Sequence, residues 1–588
     1  MKKYTSRLLA LATSALFIFS TGCQFLNSNS TPHTHSFNKK VINEKYLQAE
    51  ATCVTAASYY YSCSCGEAGT NTFTEGFSLA HDYSAKIASE QYLKKEATCQ
   101  NAAEYFKSCT RCGQKTFSTF SGDELGEHSY TEEKPDAIYL KDEATFTSCA
   151  VYYKSCICGL KGDSFFSYGE PLRTYTEEEK IPYTPTSLTI SLYDTDNSLY
   201  GFTYNTLQQP LRPVIQIAKG TDFTDYVEYS AITEKHTTTY EGKQTTYYIA
   251  KAEVPLDNNS TYTYRAYDKY VDIGSEIATL ETKDLTSQSF SFAHVSDTQD
   301  SGASGIGFGK VLSHITESMD FVLHTGDMVE NSLHEDEWKN MLHENFQYLS
   351  KIPVMALSGN HETTYKNGYN ETYKHFNNKI PQQDTGLGYY YSFTYGNAKF
   401  IMLNTNRLKG SSLTDDQYNW LISELENNTA TWTIVALHNP LYSAGNYGSE
   451  PSRNTIALAL RKQLQGIFAD YGVDIVLQGH DHLVSRTYPI DKNGAPQSET
   501  WQTVDGIQYS VDPNGVLYVM DGPGGTQARS LNANMDASLY HYAKASKAYS
   551  WAEFVIDGNK LTVTVKHDIN GSVGEYTSWG IIKSESEN

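Results

Sequence analysis

Apolar and polar residues follow three different rhythms along this chain. From about Pro185 they alternate: Ser187-Leu188-Thr189-Ile190-Ser191-Leu192, Pro213-Val214-Ile215-Gln216-Ile217, Thr245 to Ala252, and Thr261-Tyr262-Thr263-Tyr264-Arg265-Ala266, with Asp257-Asn258-Asn259 as turn residues. Short, regularly spaced strands without helix caps predict a β-sandwich over residues 185–284. From Ser289 the rhythm changes to apolar strands alternating with helical stretches, which predicts a layered α/β domain over 286–575. Upstream, over 35–170, the pattern is neither of these but a repeat of about 46 residues.

Glu50-Ala51-Thr52-Cys53 recurs as Glu96-Ala97-Thr98-Cys99, and an altered third copy reads Glu143-Ala144-Thr145-Phe146. Each copy has a histidine upstream (His35, His81, His128) and a cysteine pair downstream (Cys63/Cys65, Cys109/Cys112, Cys156/Cys158); Cys149 supplies the third copy's remaining cysteine. Three cysteines and one histidine per copy make a tetrahedral zinc set, a suitable staple for units too small to bury much core. One disulfide per copy with a spare thiol is the alternative. The repeats resemble cysteine-bearing modules of bacterial surface proteins, which implies a spacer or adhesive role towards cell-surface material.

The strands after Ser289 all end in polar residues. Phe292 to Ser296 runs into Asp297, Phe321 to His324 into Gly326-Asp327, and Val354 to Leu357 into Gly359-Asn360-His361-Glu362. Trp432 to Leu437 runs into His438, and Ile475 to Leu477 into Gly479-His480-Asp481-His482. Ligands in such folds gather at the carboxyl ends of strands. A single aspartate after a strand is usually a turn former; this ordered series is not explained that way. Carboxylate and amide oxygens mixed with imidazoles suit Fe, Zn or Mn. Two such ions about 3.5–4 Å apart activate water and clamp phosphate oxygens.

Composition narrows the picture further. Lys plus Arg is 46 against 68 for Asp plus Glu, a net charge of −22, so polyanions are repelled and nucleic acid is not an expected partner. A small phosphorylated substrate then needs local positive charge. Lys2, Lys3 and Arg7, the apolar run Leu8 to Phe19 and Ser20-Thr21-Gly22-Cys23 form an export signal over 1–22, too short in its apolar part to span a bilayer. Gly22-Cys23 resembles a bacterial lipoprotein cleavage site. That implies lipidation of Cys23, a membrane anchor followed by a Ser/Asn/Thr-rich linker over 23–34, and a place at the cell surface or in the periplasm.

The order of motifs resembles that of the calcineurin-like metallophosphoesterases, most of all the purple acid phosphatase-like group with its fibronectin-III-like N-terminal domain. Tyr390 to Asn397, Gln417 to Leu421, His438-Asn439-Pro440-Leu441-Tyr442, Arg486-Thr487-Tyr488-Pro489 and Gly522-Pro523-Gly524-Gly525 add to the match. The resemblance implies an α/β/β/α sandwich and attack by a metal-activated hydroxide on a phosphomonoester. A phosphodiesterase or nucleotide hydrolase on the same site, or a non-catalytic surface-binding protein, are the competing readings. In this family Asp327 would bridge two divalent or mixed-valence ions (Fe, Zn or Mn), Asp297 and His482 would hold the first, and Asn360, His438 and His480 the second. His361 would face the phosphate as the catalytic residue, and Glu362 would support its loop. Purple enzymes carry a tyrosine where this chain has Glu330, so a colourless centre with Gln299 as a further metal ligand is expected; Gln299 holding a bound water is the alternative. Plant-type enzymes carry a histidine pair where this chain has Tyr447 and Gly448.

Overall fold

A computed structural model of the chain describes residues 34–584 apart from 98, 100, 123–125, 301–304, 364–370, 382–388, 407 and 450–454. The export signal, Cys23 and the linker up to residue 33 lie outside the described residues. The chain divides into two compact units, Met1–Ser129 and Tyr130–Asn588.

In the first unit, two copies of the repeat each form a three-stranded sheet. The first comprises Leu47–Ala49, Ala57–Ser62 and Ala68–Glu75, the second Leu93–Lys95, Glu104–Ser108 and Lys115–Ser121. A tyrosine at the start of each copy closes over the turn that carries the cysteine pair: the Tyr46 hydroxyl donates to the Gly66 carbonyl at 2.9 Å, and that of Tyr92 to Gly113 at 3.1 Å. Buried apolar side chains are few (Tyr46, Cys53, Cys63 and Phe73 in the first copy), and half of these are cysteines.

The second unit opens with the strands of the third copy, Leu140–Asp142, Ala150–Ser155 and Lys161–Tyr168, closed in the same way by Tyr139 on Gly159 at 2.9 Å. This sheet packs on the following sandwich through Tyr270, whose hydroxyl donates to Glu143 and accepts from the Ala144 N–H, both at 2.7 Å. The sandwich has a four-stranded sheet, Thr186–Asp194, Leu199–Thr206, Lys243–Pro255 and Ile232–Tyr240, facing a five-stranded one built on Pro213–Lys219 and Thr261–Asp268. Alternation along these strands supplies the core: Leu188, Ile190 and Leu192 from one sheet meet Ile215, Ile217 and Tyr264 from the other. Leu199–Thr206, not among the expected strands, alternates in the same way and places Tyr200, Phe202 and Tyr204 in the core.

The remainder is two large sheets face to face with helices outside. The first sheet has eight strands and contains β1 (Ser289–Val295), β2 (Phe321–His324) and β3 (Val354–Ala356); the second has seven and contains β4 (Trp432–Leu437) and β5 (Ile475–Gln478). Phe292 of β1 stacks on Phe321 and Phe554 within its sheet and meets Phe400 of the facing sheet edge-on, ring centres 5.2 Å apart. On the far side of the second sheet, Ile401, Leu403, Val435 and Leu437 pack under the helices Asp415–Glu426 and Thr455–Asp470. Being covered on both faces is why these strands read as continuous apolar runs. β1, β2 and β3 run parallel, with Val295 level with His324 and His324 level with Ala356. β4 and β5 are parallel too, Leu437 beside Gln478. The carboxyl ends of neighbouring strands therefore finish side by side.

The sandwich and the layered domain share one apolar core. Buried hydroxyls stitch them together: Ser191 donates to the Val354 carbonyl at 3.0 Å and Tyr264 to Ser350 at 2.7 Å. Gly201 marks how close they come, since a Cβ there would lie 2.1 Å from the Asn377 carbonyl oxygen.

Candidate active site

The loops leaving β1 to β5 bring the expected side chains to one place. Asp297 (φ 53°), Asp327 (φ 52°), His480 (φ 73°) and His482 (φ 47°) all sit in the left-handed region, a cost of about 1–3 kcal/mol each that the surrounding packing sustains. This conformation turns each side chain sharply out of its strand direction. Close approach of the loops does the rest: a Cβ on Gly359 would lie 2.0 Å from Asp327 Oδ1.

Asp327, His438 and His480 form a group whose ligand atoms all lie within 4.8 Å of one another. His438 Nε2 is 3.2 Å from Asp327 Oδ2 and 3.1 Å from Asn360 Oδ1. His482 Nε2 is 3.3 Å from Asp297 Oδ1, and the His480 N–H donates to both Asp297 oxygens at 3.0 Å. The tautomers are set from behind. His438 Nδ1 donates to the Thr325 carbonyl at 2.9 Å and His482 Nδ1 to the Gln527 carbonyl at 2.7 Å, so both rings present Nε2 to the centre.

Those Nε2 atoms meet acceptors. His438 Nε2 faces two oxygens with its other nitrogen already committed, and His482 Nε2 and Gln299 Oε1 are buried without a hydrogen-bond partner. Cations among them would reconcile this arrangement, and the donor set fits metal ions. The electrostatics agree. Against the effect of burial, His482 and His438 hold Asp297 well below the usual carboxylate range, and His438 with His361 lowers Asp327 likewise. Burial opposes a charged His438, but the two aspartates raise it to about 9; burial and His438 push His480 down to about 3.

Gln299 lies beside this centre, 1% exposed, with Nε2 3.4 Å from Asp327 Oδ2. Glu330 turns its carboxylate to Gln527 Nε2 at 3.3 Å. Glu362 is fully buried and accepts four backbone N–H groups, those of Asp327 (2.8 Å), Met328 (2.7 Å), Val329 (3.3 Å) and Gly359 (2.7 Å), which ties two ligand loops together. Burial and Asp327 push Glu362 up to about 7, with the donors pulling the other way. His361 is held by two bonds: its N–H donates to Asp327 Oδ1 at 2.9 Å, and Nδ1 donates to the Glu330 carbonyl at 2.6 Å. Its side chain stays 27% exposed with Nε2 3.8 Å from Asp327 Oδ2. Burial works against its proton, but Asp327 and the Glu330 carbonyl raise its pKa above the ordinary imidazole value.

Several contributors were not singled out from the sequence. Thr325 and Gln527 act on the histidines through backbone carbonyls, which no side-chain pattern can announce. Arg529 donates to the His480 carbonyl at 3.0 Å and lies 3.6 Å from Asp481. Tyr447, which the sequence did mark as a departure from the plant-type pattern, stands with its ring centre 3.9 Å from that of His480.

The zinc candidates group differently from the expectation of one set per copy. His35 lies with Cys63 and Cys65, but Cys53 leaves its own copy to join His81, Cys109 and Cys112 of the next. Cys99 and His128 fall in the first unit and Cys156 and Cys158 in the second. Phe146, seven residues after Tyr139 as Cys53 is after Tyr46, is 73% exposed, and Cys149 joins no metal-binding group among the described residues.

Comparison with known proteins agrees with this geometry. Residues 290–484 match the calcineurin-like phosphoesterase family. Purple acid phosphatase 15 of Arabidopsis thaliana is 26% identical over 194 residues, 32% of this chain and 32% of that protein. Acid phosphatase type 7 of Homo sapiens is 27% identical over 233 residues, 36% of this chain and 49% of that protein. The chain thus spans between a third and a half of the length of these curated relatives. Purple acid phosphatase PPD1 from yellow lupin seeds superposes with a TM-score of 0.57 at 18% identity, covering 72% of this chain and 76% of that one, a likeness of fold. Residues 290–484 thus form a calcineurin-like phosphoesterase domain, with purple acid phosphatases among its homologues.

Proposed function

We propose that the protein is an exported, metal-dependent phosphatase that hydrolyses small phosphomonoesters at the centre formed by Asp297, Asp327, Asn360, His438, His480 and His482. The observation that carries this reading is the convergence of His438 Nε2, His482 Nε2, Gln299 Oε1 and the two aspartates on one place, with His482 Nε2 and Gln299 Oε1 buried without a hydrogen-bond partner. Two ions held there, the first by Asp297, His482 and Gln299, the second by Asn360, His438 and His480, with Asp327 shared, would supply an activated water and neutralise phosphate charge.

The chain's own residues contribute position and charge. His361 keeps its ring fixed through Nδ1 and holds Nε2 beside the centre, 3.8 Å from Asp327 Oδ2, where it donates to a phosphate or leaving-group oxygen. Arg529 adds positive charge beside His480, which the −22 net charge of the chain otherwise lacks. Glu362 fixes the spacing of the Asp327 and Asn360 loops without touching substrate. Anchoring through Cys23 and contact of the repeats with cell-surface material complete the proposal. Among the described residues no helix is long and apolar enough to cross a membrane.

Hydrolysis of a chromogenic phosphomonoester and of its diester counterpart, each with and without chelator, tests the reading. Chelator-sensitive cleavage of the monoester in preference to the diester is expected. Preference for the diester would move the assignment to a phosphodiesterase, and no cleavage of either would remove the enzymatic reading.

A further inference from the structure

Away from the phosphoesterase centre, the largest set of metal-type ligands in the first unit lies at the joint between its two repeats. Cys53 sits in a turn of the first copy, where the Thr52 N–H donates to Thr55 O at 2.9 Å and the Thr55 N–H to Thr52 Oγ1 at 3.0 Å. His81, Cys109 and Cys112 come from the second copy, and the four ligand atoms all lie within 4.8 Å of one another. Cys53 Sγ is 3.6 Å from Cys109 Sγ, and Cys112 Sγ is 3.3 Å from His81 Nδ1. A tetrahedral zinc with Zn–S of about 2.3 Å and Zn–N of about 2.0–2.1 Å requires edges of about 3.8 Å between sulfurs and about 3.5 Å between sulfur and nitrogen. Cys53, Cys109 and Cys112 are not disulfide-bonded, and Cys53 and Cys109 are buried.

The joint around them is built to hold this set in place. The Leu79 N–H donates to Thr52 O at 2.8 Å, tying the connecting segment to the Cys53 turn. Arg111, between the paired cysteines, donates from Nη2 to the carbonyls of Leu79 (2.9 Å) and Ala80 (3.0 Å). The Thr110 N–H donates to Asp82 O at 2.8 Å, and His81 stacks on Tyr83 with ring centres 5.2 Å apart. The first copy repeats part of the arrangement, His35 on Phe37 with Cys63 and Cys65. In the third copy, which no further copy follows, the position of Cys53 is held by exposed Phe146.

We infer that Cys53, His81, Cys109 and Cys112 bind one structural zinc ion that staples two successive repeats, the first copy lending its cysteine to the second. Soft thiolates in a tetrahedral set select zinc over the harder divalent ions. Each repeat has too little apolar core to fix its neighbour's orientation, so the ion ties one small unit to the next.

The test uses the full chain purified without chelator. Alkylation followed by mass spectrometry reads Cys53, Cys109 and Cys112 individually. All three are expected to be protected until a strong chelator is added, then to react together. Cys53→Ser is expected to lower bound zinc by one equivalent and to expose Cys109 and Cys112, whereas Cys149→Ser changes neither. Cobalt exchanged into the wild type is expected to give the visible bands of a tetrahedral thiolate site, lost in Cys53→Ser. A Cys53–Cys109 disulfide in the native protein, ready alkylation of Cys53 without chelator, or unchanged zinc in Cys53→Ser would each overturn the inference. The alkylation pattern of the wild type decides the matter even if the variant does not fold.

Discussion

His361 and Glu362 stand next to each other and do opposite kinds of work. His361 is partly exposed, with Nε2 3.8 Å from Asp327 Oδ2, so His361→Ala is expected to keep bound metal while kcat falls by about 10²–10⁴-fold. Metal analysis beside steady-state kinetics checks both halves. Glu362 never reaches the open side. Glu362→Ala leaves four buried backbone N–H groups without an acceptor, a loss on the order of 3 kcal/mol or more, and thermal unfolding should show it before any assay does. Gly359 allows no side chain, because a Cβ would occupy the place of Asp327 Oδ1; Gly359→Ala is expected to lose activity through displacement of that carboxylate. Gln299 and Glu330 bear on the ion proposed to lie between Asp297 and His482. With a glutamate turned toward Gln527 where purple enzymes have tyrosine, the metal-loaded protein is expected to be colourless. A strong visible band in the native protein would show that the first ion's surroundings differ from this account.

At the scale of strands and loops, most of the site was legible in the sequence because ligands follow directly on strands. Asp297, Asp327, Asn360, His438, His480 and His482 each stand within a few residues of an apolar run, and parallel strands bring such ends together. What was not legible depends on contacts between distant segments. The carbonyls of Thr325 and Gln527 that fix two tautomers carry no residue signature. The destination of Cys53, in the neighbouring copy, follows from how one repeat is set against the next and not from spacing within one. The joint between the sandwich and the layered domain is another such contact. There Glu335, its side chain 14% exposed, lies against Asn205, which donates to it at 2.9 Å, and 3.7 Å from His375, whose two nitrogens are buried without hydrogen-bond partners. Burial first, then Glu371, pushes Glu335 up to about 8, and burial holds His375 well below the usual imidazole range. A carboxyl raised above its unfolded value near 4.5 stabilises fully below that pH, and the contribution is lost as pH rises through about 8. Thermal unfolding from pH 5 to 9 should therefore show Glu335→Gln gaining on the wild type as pH rises. Equal pH dependence in the two proteins would show that Glu335 is not buried as a neutral acid.

At the scale of the whole molecule, the chain divides into two compact units. The sandwich and the phosphoesterase domain share a core, whereas the repeats of the first unit carry their own sheets and their own ligand sets. Removal of residues 1–129 is expected to leave kcat and KM for a phosphomonoester within about twofold, by the general independence of sites without shared partners. A large loss would mean that the repeats take part in catalysis. The central claim is that ions held by the six strand-end ligands make this chain a phosphatase. Its most direct test is to strip the full chain of metal and titrate a divalent ion back while following phosphomonoester hydrolysis, with Asp327→Ala in parallel. The wild type should be inert when stripped and recover turnover as ion is added, and the variant should stay inert throughout. Undiminished hydrolysis by the stripped wild type, or recovery of the variant alongside it, would contradict the account.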